Sequence, residues 1–180
     1  NRLTYDILSY QLEKQAALLD FPYYQEVFSP TLGTQAQLPI LLAEYAFRSE
    51  QDIENYFSLL STIDAYYESL MNYEREKADA GLFMSDETAD TVIAQCEAFL
   101  SNLGEHFLLS TFEERIASAD FLSREQAEKY LDSNRALFFG HVVPAYELLI
   151  QGLTDLKGAG KNPYGLCYYK KGAGYYEALT

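Results

Sequence analysis

The segment from Ser123 to Leu156 carries the most regular apolar pattern in the chain: SREQAEKYLDSNRALFFGHVVPAYELLIQGLTDL. Its apolar residues recur every three or four positions along one continuous face, which is the spacing of an amphipathic α-helix. Ser123 and Gln126 have the spacing of a capping box, in which each side chain bonds the other residue's backbone at the helix start. Such a helix would be about 50 Å long, and we expect it to form the centre of a helical bundle.

Pro144 interrupts this pattern. Its ring lacks an N–H and clashes with the carbonyl of residue 140. That residue is a glycine, which tolerates the distortion, so we expect a kink rather than two separate helices. Gly158-Ala159-Gly160 ends the helix. The residues after it, Lys161 to Gly174, are rich in glycine and contain the run Leu166 to Tyr169, which predicts a small β-hairpin or loop near the C-terminus.

Helical spacing also dominates the sequence before position 123. Residues Ile53 to Tyr73 predict two helices in series that end near Gly81, and Ser85 or Asp86 caps the start of another. Asp20 to Gln37 contains two prolines and one glycine, which predicts an irregular segment. The predicted fold is all-α, a multi-helix bundle with a long, Pro-kinked C-terminal helix. We expect residues 1–180 to form a single helical domain, the N-terminal lobe of a longer protein, because helical patterns run up to both ends of the sequence.

The amino-acid composition limits the classes of partner that the chain can bind. The chain has 27 acidic and 13 basic side chains and a formal net charge of −14, which disfavours nucleic acid because binding to phosphates is driven by Lys and Arg. No uninterrupted apolar run approaches the roughly 18 residues of a membrane span, so we expect no span in this chain. Cys96 and Cys167 are far apart in sequence, and their spacing does not say whether they are close.

Catalytic and metal-binding motifs are missing from the sequence. There is no H-E-x-x-H, no G-x-S-x-G, no Walker loop and no dinucleotide fingerprint. His106 and His141 lie in different predicted helices, where we interpret the first as part of a helix cap and the second as a core residue on an apolar helix face whose polar atoms are bonded. We therefore expect no catalytic residue, metal ligand or cofactor in this chain.

Tyrosine is the unusual residue, with sixteen copies in a chain that has no tryptophan. The doublet Tyr66-Tyr67 lies in a helical pattern and is expected to pack in the core. For the doublets outside the long helical patterns, two interpretations stay open: their rings and hydroxyls line a cleft for an extended ligand such as a peptide, or they support loops. The candidate substrate-binding residues are Tyr23, Tyr24, Tyr168, Tyr175 and Tyr176.

Six stretches of the sequence resemble a bacterial family known as the domain of unknown function 885. They are residues 3–8 (LTYDIL), 21–24 (FPYY), 29–39 (SPTLGTQAQLP), 81–86 (GLFMSD) and 143–146 (VPAY), and the ending from Gly165 to Tyr175-Tyr176. The resemblance covers nearly the whole chain and is to the N-terminal part of the family.

The resemblance implies a longer, mainly helical protein that is metallopeptidase-like because of a downstream H-E-x-x-P-G-H motif. That motif is absent here, and its spacing departs from the i, i+4 pair that places two imidazoles on one helix face. Zinc is thus implied for the longer protein and not for this chain. The implied partners are the remaining C-terminal part of that protein and a peptide substrate. The resemblance also implies export as a membrane-anchored bacterial lipoprotein, and places the tyrosines after the glycine-rich segment toward a cleft between two halves.

Two functions follow as hypotheses. In the first, the chain is the non-catalytic helical lobe of a zinc-dependent peptidase or hydrolase of unknown specificity, and it shapes the substrate cleft. In the alternative, it is a helical protein-binding or scaffolding module with no enzymatic role. A third reading is that the chain folds and has no function by itself.

Overall fold

The structure is a computed structural model that describes residues 2–180, and within these residues the chain is helical and contains no β-strand. The helices are α1 (Arg2–Leu18), α2 (Thr34–Ala43), α3 (Glu50–Leu60), α4 (Ile63–Asp79), α5 (Asp86–Leu100), α6 (Phe107–Ala117), α7 (Arg124–Leu137), α8 (Val143–Leu156) and α9 (Gly172–Leu179). Short 3₁₀ turns lie at Leu103–Glu105 and Leu166–Tyr168. The predicted all-α fold is confirmed.

Two predicted helix starts are present as hydrogen-bonded caps. At the start of α7, the Gln126 amide donates to Ser123 Oγ (3.3 Å) and the Ser123 amide donates to Gln126 Oε1 (3.0 Å), which completes the capping box. At the start of α5, the Thr88 amide donates to Ser85 Oγ at 3.3 Å. These bonds satisfy amides that have no partner inside their helix.

A π turn, Phe138–Val142, joins α7 and α8 into one continuous helix, Arg124–Leu156. The amide of Val143 bonds to the carbonyl of Phe138, five residues back, and Pro144 follows in the first turn of α8. A π turn is wider than an α turn and often accompanies a disrupted hydrogen-bond ladder. The structure thus has a π turn just before Pro144, where the sequence predicts a kink.

The core lies where α8 packs on α4 and α5. Gly152 of α8 faces Met71 of α4 so closely that a Cβ there would lie 2.6 Å from Met71 Cε. The absence of a side chain at Gly152 lets the two helices approach. The largest fully buried side chains are Tyr56, Tyr67, Tyr146, Phe28, Phe83, Phe112, Phe138, Ile53, Leu60, Met71, Leu108 and Leu149.

Two buried tyrosines connect this core to the start of α2. The hydroxyl of Tyr146 donates to the carbonyl of Gln35 at 2.5 Å, and the hydroxyl of Tyr67 lies 3.3 Å from that of Tyr146. Phenols buried in this way keep their hydroxyl groups bonded, so the sequence can use tyrosine where an apolar core would otherwise require phenylalanine.

The continuous helix from Arg124 to Leu156 is long and apolar enough to cross a membrane, judged by length and composition only. In the structure, 44% of its most apolar window is buried inside the protein. The α8 half of this helix packs against α4 and α5, and the core helix of a bundle can be as apolar as a helix that crosses a membrane.

Of the two alternatives predicted for Lys161 to Gly174, a β-hairpin or a loop, the structure has the loop, and a helix follows it. The side chain of Asn162 donates to the carbonyl of Gly165 and accepts from the amide of Tyr164, so the chain turns locally. A 3₁₀ turn follows, and α9 begins at Gly172. The backbone-to-backbone hydrogen bonds of this segment join residues that are only a few positions apart. In the described part of the chain, the residues from Leu166 to Tyr169 therefore have no neighbouring strand with which to form a hairpin.

Candidate functional site

A cleft of about 550 Å³ lies between three irregular parts of the chain. One wall is the aromatic loop, residues 19–33 between α1 and α2. The second is the end of α4 with the residues that follow it, and the third is the C-terminal loop, residues 157–171. We call it the tyrosine-lysine cleft, and its lining residues are Pro22, Tyr23, Tyr24, Ala80, Gly81, Leu82, Lys161, Asn162, Tyr168, Tyr169, Lys170 and Lys171.

Tyr23 is held in a strained backbone conformation at the cleft wall. Its φ angle is +68°, in the left-handed region that a tyrosine rarely adopts. The hydroxyl donates to Glu76 Oε2 at 3.1 Å, and the ring packs on that of Tyr73. The bond to the Glu76 carboxylate raises the pKa of Tyr23 above its ordinary value. These contacts fix the ring at the cleft despite the strain.

Tyr24 anchors the aromatic loop to the C-terminal loop. It is nearly buried, and its ring lies 5.5 Å from that of Tyr175 and 6.2 Å from that of Tyr169. Its hydroxyl accepts a hydrogen bond from the amide of Lys171 at 3.1 Å. The hydroxyl of Tyr169 in turn donates to the carbonyl of Phe83 at 3.0 Å. The cleft walls are therefore joined to one another by the hydroxyl groups of Tyr24, which is buried, and Tyr169, which is half-buried.

Helix α4 supports the aromatic loop from beneath. The hydroxyl of Tyr73 and the ammonium of Lys77 both donate to the carbonyl of Gln25, each at 3.2 Å. Burial raises the pKa of Tyr73 to about 12, so this phenol keeps its proton and remains a donor at physiological pH.

The structure brings three of the five predicted tyrosines to the cleft, namely Tyr23, Tyr24 and Tyr168. Tyr168 is 68% exposed and offers its ring to solvent. Tyr175 lies behind the wall, packed on Tyr24 and buried. Tyr176 is elsewhere, on the outer face of α9 beside a separate groove.

Three lysines of the cleft, Lys161, Lys170 and Lys171, were not among the residues expected from the sequence. A signal for them exists in the sequence, because residues 157–176 contain four lysines and no Asp or Glu although the whole chain carries a net charge of −14. Net charge summed over short windows of the sequence would have shown that this segment is positive although the whole chain is negative.

Metal-binding groups do not come together in the described part of the chain. Within residues 2–180, no three His, Cys, Asp or Glu side chains form a group that could hold a metal ion. His141 Nδ1 lies 2.9 Å from Asp64 Oδ2. His106 Nδ1 accepts from the Leu108 amide at 3.2 Å at the start of α6, and burial lowers the pKa of this imidazole. These residues do not fit a zinc ion.

The two cysteines are free and lie in different environments, Cys96 buried and Cys167 exposed. Burial raises the pKa of the Cys96 thiol to about 12. That thiol is therefore protonated at neutral pH, and a protonated thiol is a weak nucleophile.

A second concavity, of about 680 Å³, is apolar and lies between α2, the end of α3 and the start of α4. We call it the α2–α4 groove. Three of its residues leave large apolar surface open, since Leu41 is 63%, Leu59 48% and Tyr66 45% exposed. The groove has no charged residue in its lining, which comprises Leu38, Leu41, Leu42, Tyr45, Leu59, Thr62, Ile63, Ala65 and Tyr66.

The fold of the chain is similar to that of a solved bacterial structure. The crystal structure of a "putative lipoprotein" from Colwellia psychrerythraea matches with a TM-score of 0.78 and 20% sequence identity, over 84% of this chain and 26% of that chain. This likeness is one of fold, and the chain spans about a quarter of that neighbour's length. A comparison with curated protein sequences gives no match.

The family resemblance expected from the sequence is confirmed. The family model described as "Bacterial protein of unknown function (DUF885)" matches residues 1–180, and the chain therefore belongs to the DUF885 family.

Proposed function

We propose that this chain is the non-catalytic helical lobe of a longer zinc-dependent peptidase, and that its tyrosine-lysine cleft binds and positions the peptide substrate. The observation that carries the proposal is the cleft itself, where the hydroxyl groups of Tyr24 and Tyr169 join three parts of the chain around an open volume of about 550 Å³. A longer protein is supported by the structural neighbour, of which this chain covers 26%.

The chemistry of the walls suits an extended peptide. A phenol offers a flat apolar ring to side chains and a hydroxyl to amide and carbonyl groups. Tyr168 is exposed and free to make such contacts, whereas Tyr24 and Tyr169 are bonded into the walls and keep the shape. Rigid walls with an exposed aromatic side chain bind at a low cost in conformational entropy.

The side chains of this chain support a role in substrate binding and not in catalysis. Residues 2–180 hold no group of three potential metal ligands, and both histidines are engaged, His141 with Asp64 and His106 at the start of α6. A metal-dependent bond cleavage would therefore rely on groups from the rest of the longer protein.

The test uses the longer protein that contains this chain. We expect it to bind zinc and to hydrolyse peptides. The substitution Tyr168→Ala should raise KM about tenfold and leave kcat nearly unchanged, because it removes substrate binding and not chemistry. Tyr176→Ala is the matched control, since Tyr176 is similarly exposed (61%) but lies outside the cleft. A longer protein that holds no zinc and cleaves no peptide, or equal effects of the two substitutions, would overturn the proposal.

The α2–α4 groove favours the alternative, a helical protein-binding module with no enzymatic role. Its open apolar surface is of the kind that an amphipathic helix of a partner covers. Under this alternative, Leu41→Asp abolishes binding of a purified partner and Tyr168→Ala does not. The reverse pattern supports the peptide cleft.

We also propose that the longer protein is exported and anchored to the membrane as a bacterial lipoprotein, because the structural neighbour is described as a "putative lipoprotein". Cell fractionation tests this directly. We expect the longer protein in the membrane fraction, and recovery from the soluble cytoplasm would exclude the anchor.

A further inference from the structure

The charge of the tyrosine-lysine cleft is opposite to that of the protein. Acidic side chains outnumber basic ones by 27 to 13 in the chain, yet the lining of this cleft contains three lysines and, among the described residues, no Asp or Glu. The α2–α4 groove, in contrast, is lined by uncharged residues. The lining of the cleft therefore carries three positive charges on a strongly anionic protein, and the Glu76 carboxylate beside it is bonded to the Tyr23 hydroxyl.

Two of these lysines are not committed to partners within the protein. Lys161 and Lys170 are exposed and form no ion pair with a carboxylate in residues 2–180. Lys171 differs, because its ammonium donates to the carbonyl of Asp20 at 3.1 Å and lies 5.9 Å from the ring centre of Phe21. Lys157, just outside the cleft, is paired with Asp90.

The position of Lys161 follows from the backbone opposite it. Gly81 has a φ angle of +74°, and the ammonium of Lys161 lies 3.7 Å from the point where a Cβ of Gly81 would be. A glycine suits this conformation because other residues are strained there. The ammonium thus lies against the wall that follows α4, while the Lys161 side chain remains exposed.

An ammonium group beside phenols is suited to a carboxylate. The ammonium supplies a positive charge with several N–H donors, and a charged acceptor gives stronger hydrogen bonds than a neutral one. A large polyanion is disfavoured, because the net charge of −14 repels it at long range. A peptide that carries a single carboxylate is repelled much less by the net charge of the protein, and its carboxylate can still bind the lysines of the cleft.

We infer that the tyrosine-lysine cleft binds the carboxylate of a peptide ligand, with Lys161 and Lys170 as its cationic partners. This inference rests on the proposed function and adds the substrate class, a peptide with a free C-terminal carboxylate or an acidic side chain. The volume of about 550 Å³ lies within the range of small-ligand pockets, about 300–1,000 Å³, and accommodates the end of a peptide and not a folded partner.

The experiment measures fluorescence anisotropy of a tetra-alanine peptide that carries a neutral fluorophore at its N-terminus, so that the label adds no charge. Three forms are compared: the free C-terminal acid, the C-terminal amide, and an amide in which one alanine is replaced by glutamic acid. We expect the free acid or the glutamic acid form to bind the chain at least tenfold more tightly than the plain amide. The form that does so identifies the source of the carboxylate.

Variants assign the effect to the lysines. The double substitution K161A/K170A should remove the difference between the acid and amide forms, and K161R/K170R should keep it. Lys129→Ala is the matched control, because it removes one positive charge from an exposed lysine that is paired with Glu125 on α7. Far-UV circular dichroism verifies that each variant keeps its helices.

Three results would overturn the inference: equal affinity of all three peptides, no binding of any of them, or displacement of the acid form by inorganic phosphate at concentrations where acetate has no effect. A different result distinguishes failure of this inference from failure of the proposed function. If the acid and amide forms bind equally well and Tyr168→Ala weakens both, the cleft binds peptides and only the role of the carboxylate is wrong.

Discussion

The ammonium of Lys77 lies 3.7 Å from Oε1 of Glu74, one turn away on α4, and both side chains are buried. This distance is too long for a hydrogen bond, and neither carboxylate oxygen has a hydrogen-bond partner in residues 2–180. Burial raises the pKa of Glu74 from 4.5 to about 7, Lys77 opposes the rise, and the charge of Glu26 adds to it. Glu74 therefore titrates near neutral pH beneath the aromatic loop.

This pKa makes the free energy of unfolding depend on pH. The folded protein retains the Glu74 proton up to about pH 7, whereas the unfolded chain loses it near pH 4.5. Between these values the folded state binds more protons, so the contribution of Glu74 to stability is full below pH 4.5 and is lost as the pH rises through 7. The two pKa values correspond to a loss of about 3 kcal/mol.

Urea denaturation at pH 4.5 and pH 8 measures this loss. We expect the unfolding free energy of the wild type to fall by about 3 kcal/mol relative to that of Glu74→Gln over this interval. Glu68→Gln, at an exposed position of the same helix, should follow the wild type. Parallel pH dependence of the wild type and Glu74→Gln would contradict the assignment.

The burial of Glu74 shows where the sequence pattern stops being informative. The apolar stripe predicted for α4 comprises Ile63, Tyr66, Tyr67, Leu70 and Tyr73. The structure buries Ile63 and Tyr67 but leaves Tyr66 45% exposed, and it buries Met71, Glu74 and Lys77 instead of the remaining stripe residues. The buried face is rotated by about one residue because α4 packs on α8 and also under the aromatic loop. Periodicity identifies the helix, and tertiary contacts decide which face is covered.

The hydroxyl of Tyr146 offers a second test, of the link between α8 and α2. Tyr146→Phe keeps the ring and removes the donor to the carbonyl of Gln35. A buried carbonyl left without its partner costs about 1–3 kcal/mol. Tyr66→Phe, on a half-exposed ring, should change stability by less than about 0.5 kcal/mol. Urea denaturation of both variants decides, and equal effects would mean that the hydrogen bond contributes nothing.

Gly140 tests how the long helix accommodates Pro144. The sequence suggests that the missing side chain at Gly140 provides the room, whereas the structure contains a π turn there. A Cβ at Gly140 would meet no atom within 4 Å, so Gly140→Ala should be neutral or stabilise the protein by up to about 1 kcal/mol. Thermal unfolding measures the change. A loss of more than about 1 kcal/mol would show that the glycine itself is required.

Some of the residues that line the tyrosine-lysine cleft could be predicted from the sequence. Tyrosine doublets in irregular segments pointed to Tyr23, Tyr24 and Tyr168, because rings outside helices are available for loops and clefts. Tyr176 could not be separated from Tyr175 in this way, since the two neighbours point to different sides of α9 and only one is buried. The loop conformation of residues 161–171 was also inaccessible, because it depends on the Tyr24 hydroxyl, which is distant in sequence.

Gly172 controls the shape of the C-terminal loop. A Cβ at this position would lie 1.7 Å from the carbonyl oxygen of Leu166, which is a backbone atom. Gly172→Ala must therefore displace the turn that carries Tyr168 and Tyr169, at a cost of about 1–3 kcal/mol. We expect faster hydrogen exchange at the amide of Tyr169, which is bonded to the Leu166 carbonyl in the native loop. Exchange unchanged by the substitution would contradict this close packing.

The control for that experiment is Gly104→Ala. A Cβ at Gly104 meets no atom within 4 Å, so neither exchange in the loop nor peptide binding should change. If both alanine substitutions accelerated exchange at Tyr169, the effect would reflect general destabilisation and not the contact with Leu166.

A titration of the isotope-labelled protein with the tetra-alanine free acid, followed by amide chemical shifts, tests the central claim most directly. The account predicts that the largest shifts fall on residues 21–24, 80–82 and 161–171, the three walls of the tyrosine-lysine cleft. Shifts concentrated on residues 38–66, around the α2–α4 groove, would contradict it.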